Sequence, residues 1–255
     1  MRTLWNSFKI GFSMYSKIPM PKSDWTKENM KYAMCFFPLI GVVIGGFIGL
    51  WYHIQSILSF GSIFSTVVYI TIPILVTGGI HMDGLLDTAD ALCSYQPQER
   101  KLEILKDPNT GAFAVIICVM YILLDFGIWS EISKETIGIL CCSFVLSRSL
   151  SGYGVVTLNM AKDTGLAATF SEAAKRKRVK RIMEFYVVII SAVLIWINPI
   201  LGGFCISAAI LTFLYYRHMA YKQFGGITGD LAGYFLQLCE LVMAVVVIIV
   251  ERGLP

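Results

Sequence analysis

Charge is what this chain has least of: only 15% of its 255 residues are Asp, Glu, Lys or Arg, against 56% hydrophobic. A soluble domain carries about 25% charged residues, so the shortage excludes an ordinary water-exposed globule and reads as an integral membrane protein. No Cys-x-x-Cys spacing occurs, and the seven cysteines are an odd number lying mostly in apolar runs. That excludes a disulfide framework and a zinc site and leaves them as small buried hydrophobes. The first 20 residues lack an uninterrupted apolar core, because Lys9 and Lys17 break it. No small-residue cleavage site follows, so the segment reads as retained. A net charge of +4 gives no ground for a nucleic-acid partner. Length allows one domain or a tight pair, and the composition favours a single membrane domain over 1–255.

What is present is a succession of apolar spans. Residues 1–31 carry Trp5, Phe8, Phe12 and Tyr15 at spacings of three and four, interleaved with Arg2, Lys9 and Lys17. This pattern predicts an interfacial amphipathic helix closed by Ile18-Pro-Met-Pro21. Spans are expected over Cys35–His53, Ile63–Ile80, Ala112–Trp129, Thr136–Leu158 and Leu231–Val250. The 35 residues of Ile182–Tyr216 read either as a tight helical hairpin or as a re-entrant pair broken at Asn198-Pro199 and Gly202-Gly203. The expected architecture is an all-α, polytopic membrane bundle of about seven segments with loops at 81–110, 159–184 and 217–230. On it, 18 of the 21 Lys and Arg fall on one side, only Lys134 and Arg252 on the other, and Arg148 inside a span. A split that uneven places the three loops in the cytoplasm.

Within the first loop, Gly78 to Leu92 reads Gly-Gly-Ile-His-Met-Asp-Gly-Leu-Leu-Asp-Thr-Ala-Asp-Ala-Leu. Asp83, Asp87 and Asp90 stand at i, i+4 and i+7, so on a helix they share roughly 60° of arc. Leu85, Leu86, Ala89 and Leu92 take the opposite face. Like charges at this spacing repel unless a cation sits among them. The bland alternative is a solvated polar face. Against it, Asp83 follows a long apolar run directly and only Thr88 and Ser94 lie near enough to solvate it. Oxygen ligands without Cys and with one neighbouring His, His81, suit Mg²⁺ or Mn²⁺, which substrate phosphates usually complete.

A second hexapeptide, Gly225-Gly-Ile-Thr-Gly-Asp230, shares Gly-Gly-Ile and the terminal Asp with Gly78–Asp83. Such glycines let backbone approach an anion. The likeness is either chance or structural, and in the second case Asp230 faces the same ion or another. Arg148, Asp125 and Glu240 are charges inside spans. Arg148 reads equally as a phosphate contact or as half of an interhelical ion pair, while ion pairing is favoured for Asp125 and Glu240. The Lys175–Arg181 run reads as a topology signal touching anionic lipid, or more sharply as a steering patch for a polyanionic substrate. His53 and His218 read as interfacial, and Asp163 and Glu172 as solvated.

The Gly78–Leu92 stretch closely resembles the hallmark of the cobalamin synthase, or adenosylcobinamide-GDP ribazoletransferase, family. Ser16-Lys-Ile-Pro-Met-Pro21, Lys106-Asp-Pro-Asn-Thr-Gly-Ala-Phe113, Leu146-Ser-Arg148 and Gly225–Asp230 followed by Glu240 resemble further motifs of that family, in the same order. Ala91 stands where the family leads one to expect Gly. The resemblance implies a multi-pass inner-membrane enzyme that joins adenosylcobinamide-GDP to α-ribazole or its 5′-phosphate, using Mg²⁺ and releasing GMP. Carried onto this chain, Asp83 and Asp87 are expected metal ligands, Asp90 a ligand or general base, and Asp107 and Asp230 the rest of the shell. His81 is a further catalytic candidate; Arg148, Lys106, Lys162, Gly225, Gly226 and Gly229 are expected to meet substrate. A homo-oligomer is compatible with these features. The competing expectations are a membrane phosphotransferase of CDP-alcohol type, although its Ala-Arg pair and longer aspartate spacing are missing, and a transporter lined by Asp125, Arg148 and Glu240.

Overall fold

The structure is a computed structural model that describes residues 2–162 and 166–254; Asp163 lies outside the described residues. Among these, every regular element is helical, and the one β-type contact is an isolated bridge between Met160 and Ile227. In chain order the helices are α1 (Arg2–Tyr15), α2 (Lys27–Met30), α3 (Phe37–Leu58), α4 (Ser62–Thr77), α5 (Ile80–Cys93) and α6 (Gln98–Ile104). They continue with α7 (Ala112–Ser130), α8 (Lys134–Thr157), α9 (Leu166–Ala173), α10 (Arg176–Ile197), α11 (Pro199–Phe224) and α12 (Gly229–Gly253).

Helix α8 is the axis of the bundle. Its apolar stretch is 83% buried, against 11% for α7, so α8 is enclosed by protein while α7 turns most of its apolar side chains outward. Ser133 starts α8 with a capping box in which its Oγ accepts from the Thr136 N–H. Around α8 pack α3, α10, α11 and α12. The α3 contact depends on small residues: a Cβ on Gly45 would stand 2.5 Å from the Cys141 carbonyl oxygen, and one on Gly41 would collide with the Phe144 carbonyl. Backbones this close are the usual means by which membrane helices associate. Gly41→Ala should therefore cost about 1–3 kcal/mol through overpacking, whereas Gly46→Ala, which meets nothing within 4 Å, should leave stability unchanged or slightly raised. Thermal unfolding of the two detergent-purified variants, side by side, checks this.

The 182–216 segment is a hairpin of two long helices. Asn198 Oδ1 accepts from the Ile200 and Leu201 N–H groups, and Pro199 fills the first turn of α11, so a single residue suffices to reverse the chain. Both helices exceed their apolar stretches: α10 takes in the basic run from Arg176, and α11 runs on to Phe224 through residues expected in a loop. Lys and Arg have high helix propensity, so a helix does not stop where its hydrophobicity does.

Among the described residues, five helices are long and apolar enough to cross a membrane, and a sixth crossing arises if α4 and α5 count together across their 94° bend. The expected figure of seven is not reached by this measure, for two physical reasons. Helix α4 has 16 residues, about 24 Å, short of a bilayer core. Helix α10 is long enough but carries Lys and Arg through its first two turns. Charge nevertheless separates to the two ends of the bundle. Arg252 pairs with Glu131 at 2.7 Å near Lys134. At the other end Lys27 meets Glu172 at 2.6 Å, and the Lys175 N–H donates to the Lys31 carbonyl. Helix α1 forms as the aromatic spacing predicts: Ile10 and Phe12 are buried against the one-turn 3-10 segment Ala33–Phe36, and Trp5 is exposed.

Candidate active site

Helix α4 ends at Thr77, and Gly78 (φ +66°) and Gly79 (φ +78°) follow in left-handed conformations that other residues resist. Two such residues in succession turn the chain through 94° and start α5 at Ile80. Asp83 then falls in the first turn of α5, where a carboxylate is favoured by the helix dipole. Leu85 and Ala89 are buried, Asp83 is exposed, and Asp87 and Asp90 are half-buried. The acidic face expected from the spacing is therefore present and faces away from the core.

The Gly225–Asp230 hexapeptide ends α11 in the same way, with Gly225 left-handed at φ +75°. Helix α12 follows, its first turn capped by Thr228, whose Oγ1 accepts from the Leu231 N–H at 3.2 Å. The two Gly-Gly-Ile segments thus share a helix-ending turn, and the helices they introduce, α5 and α12, pack against each other. Contact is close because Gly84 faces Asp230 and Gly233 faces His81: a Cβ on Gly84 would stand 2.6 Å from the Asp230 carbonyl oxygen. This crossing brings the Asp230 carboxylate into electrostatic reach of the α5 face, and Asp83, Asp230 and Asp90 all act on Asp87. Asp90 lies against Gly111, where any side chain would collide with its carboxylate.

Among the described residues no three His, Cys, Asp or Glu side chains already form a metal cage. Mg²⁺ does not require one, since it usually takes one or two carboxylates plus waters and substrate phosphates. The donor set and its mutual repulsion fit such an ion. Asp107 is differently employed: it is exposed, and its Oδ1 accepts from the Asn109 N–H at 2.9 Å and the Asn109 Nδ2 at 2.8 Å. Those two hydrogen bonds hold its carboxyl below the usual carboxylate range.

Beside the carboxylates lies a cavity of about 350 Å³. Asp83, Asp230, Lys106, Lys162 and His81 line it together with Met14, Tyr15, Met34, Phe37, Leu102 and Leu105. Lys162 donates to the Leu102 carbonyl at 2.8 Å; burial, then the Lys106 ammonium, lowers its affinity for a proton. A second cavity, of about 520 Å³, is lined by Lys17, Gly78, Gly79 and Met82, and Asp83 stands on the wall of both. The apolar wall of the first cavity is invisible to a linear reading, because it comes from α1, the turn before α3, and α6. Only the Tyr15 periodicity and the Ser16–Pro21 motif hinted at it.

Other expected site residues are placed elsewhere. Arg148 is fully buried and pairs with Glu240 at 2.6 Å, so of its two readings the structure shows the ion pair. It does not line the 350 Å³ cavity. Asp125 borders a gap of about 20 Å³ with Glu240 and Gln237, and faces a carboxylate there instead of the cation expected. Gly229 lines the 350 Å³ cavity, whereas Gly225 packs on the Gln98 side chain and Gly226 on Asn159–Ala161. Those two serve the chain reversal.

Fold and site together define a multi-pass helical membrane enzyme in which Asp83, Asp230, Lys106 and Lys162 share one cavity. Residues 7–248 match the family model described as cobalamin-5-phosphate synthase, and the chain belongs to that family. It is 49% identical to the adenosylcobinamide-GDP ribazoletransferase of Lachnoclostridium phytofermentans, over 96% of this chain and 94% of that protein. The enzymes of the same name from Clostridium perfringens and Treponema denticola are 32% and 31% identical, over 94% and 92% of this chain and 96% and 94% of their own lengths. No solved structure matches.

Proposed function

We propose that this chain joins adenosylcobinamide-GDP to α-ribazole or its 5′-phosphate with the help of Mg²⁺, giving adenosylcobalamin or its phosphate and GMP. The observation that carries the reading is the crossing of α5 and α12, which gathers Asp83, Asp87 and Asp230 beside a cavity lined by Lys106 and Lys162. A ribose hydroxyl of the acceptor attacks the phosphorus on the corrinoid side, a new P–O bond forms, and the bond to GMP breaks. Asp83 and Asp87 are the proposed metal ligands, with Asp230 completing the shell. When bound, the ion supplies charge neutralisation and alignment of the diphosphate. Lys106 and Lys162 meet the phosphate oxygens, and the negative charge that passes to the departing GMP falls within reach of both ammonium groups. The proton of the attacking hydroxyl passes to the carboxylate cluster, where Asp90, set against Gly111, serves as ligand or as base. Asp107 adds its charge from the neighbouring turn.

The 18-to-2 distribution of Lys and Arg supports a cell-membrane orientation with this end of the bundle in the cytoplasm. A transport path through Asp125, Arg148 and Glu240 is disfavoured by the closed ion pair and the small volume beside it. The direct test supplies both substrates to detergent-purified protein and measures GMP. Release is expected with Mg²⁺, no release in EDTA, and recovery when Mg²⁺ is restored in excess. GMP formation that persists in EDTA would remove the metal from the reading, and none under any condition would remove the activity.

A further inference from the structure

We propose that the 350 Å³ cavity is the seat of the acceptor's aromatic base, and that His81 recognises that base by a hydrogen bond. The inference rests on the function proposed above and names which substrate enters this cavity and what reads it. Volume comes first: the cavity suits a ligand of nucleoside size and is far too small for a corrin macrocycle with its side chains. Chemistry of the wall comes second. Away from Asp83, Asp230, the two lysines, His81 and the hydroxyls of Tyr15, Ser151 and Thr228, it is formed by residues such as Met14, Met34, Phe37, Leu102 and Leu105, a mostly apolar surface in which the methionines adapt to an irregular outline.

The decisive feature is His81. It is only 4% exposed, it lines the cavity, and its ring lies 5.9 Å from the Phe37 ring on the same wall. Both of its ring nitrogens are buried and have no hydrogen-bond partner among the described residues. Leaving such groups unpaired is unfavourable, and a ligand filling the space can relieve it. A neutral imidazole offers one N–H donor. A ribazole carries a benzimidazole whose one unsubstituted ring nitrogen is an acceptor and whose far edge is two methyl groups. A buried, unpartnered imidazole in a mostly apolar wall matches that pattern. The guanine of the other substrate presents several donors and acceptors along its edges, and with Asp83 and Asp230 engaged by the ion and the two lysines by phosphate, His81 and the hydroxyls of Tyr15, Ser151 and Thr228 are the polar side chains left on a mostly apolar wall to meet them.

The experiment pairs a residue change with an atom change. Steady-state GMP release is measured for the purified wild type, His81→Leu and His81→Gln. The acceptor is either α-ribazole or its dimethylindole analogue, which has carbon in place of the unsubstituted ring nitrogen. Wild type is expected to show a KM about tenfold higher for the analogue, the usual worth of one hydrogen bond. His81→Leu should raise the KM for α-ribazole by a similar factor, leave the KM for adenosylcobinamide-GDP unchanged, and no longer distinguish the two acceptors; His81→Gln, which keeps an N–H, should retain part of the discrimination. Should His81→Leu fail to fold, wild-type discrimination and the His81→Gln response still decide. Equal KM values for both acceptors in wild type, or a rise confined to the KM for adenosylcobinamide-GDP, would overturn the assignment. Absence of GMP from wild type with either acceptor would instead strike the functional reading itself.

Discussion

Asp87→Asn is expected to lower GMP release about a hundred- to a thousandfold, the scale on which removal of a charge-stabilising group acts in such reactions. Asp87 is singled out because the other three carboxylates of the site, Asp83, Asp230 and Asp90, all act on it; it stands at the electrostatic centre of the group. Amide replaces carboxylate at nearly the same volume, so packing against α12 is preserved and loss of activity reports loss of charge. The same substitution should leave the thermal midpoint unchanged or raise it slightly, because like charges at helical spacing repel by a few tenths of a kcal/mol per pair. A fall in activity joined to a steady or rising midpoint is the signature of a site held together for chemistry at some cost in stability. Asp107→Asn provides the contrast: that side chain is exposed and engaged with Asn109, and its loss should lower the rate only several-fold. Undiminished GMP release from folded Asp87→Asn would end the account of this helix as a metal site.

How much of this could be read from the chain depends on whether the relevant partner is near in sequence. The acidic face of α5 could, because its residues are separated by one and two helical turns and burial of Leu85 and Ala89 follows from the same period. The all-α bundle of long apolar helices could also, since uninterrupted apolar runs report such helices wherever they sit. Helix ends could not: Arg176 to Arg181 looks like a loop by hydropathy yet forms two turns of α10. The cavity wall was hidden for a different reason, since Met14, Leu102 and Met160 come together only after α1, α6 and the Asn159–Ala161 segment dock on the bundle. Gly225 and Gly226 looked like an anion cradle because glycine marks both a ligand approach and a chain reversal, and only the position of Gln98 and Asn159 separates the two. For Arg148 the deciding partner is 92 residues away, so its two readings had equal standing until the fold placed α12 beside α8.

That pair gives the largest expected effect on stability. Arg148 Nη1 donates to Glu240 Oε1 at 2.6 Å and to the Phe144 carbonyl at 3.0 Å, while Ser147 Oγ donates to the same Glu240 oxygen at 2.7 Å. The Phe37 and Phe144 rings lie about 6 Å from the guanidinium. Charges this deep in a membrane bundle are tolerated because each has the other. Arg148→Met should therefore cost about 3–5 kcal/mol, the penalty for leaving one buried charge without its partner. In a protein of this size that is a fall of about 10 °C in the midpoint. Removing the second charge as well reverses most of the loss: Arg148→Met combined with Glu240→Leu should unfold closer to wild type than either single variant does, since an apolar pair of similar volume replaces the ionic one. Thermal unfolding of the three detergent-purified variants measures the cycle. The competing role, a phosphate contact, gives the opposite pattern, in which Arg148→Met keeps its midpoint, raises the KM for adenosylcobinamide-GDP, and gains nothing from the second substitution. Full burial of Arg148 away from the cavity argues for the first pattern, because a guanidinium whose Nη1 already meets a carboxylate and a carbonyl, and which does not line the cavity, has no open face to offer a phosphate.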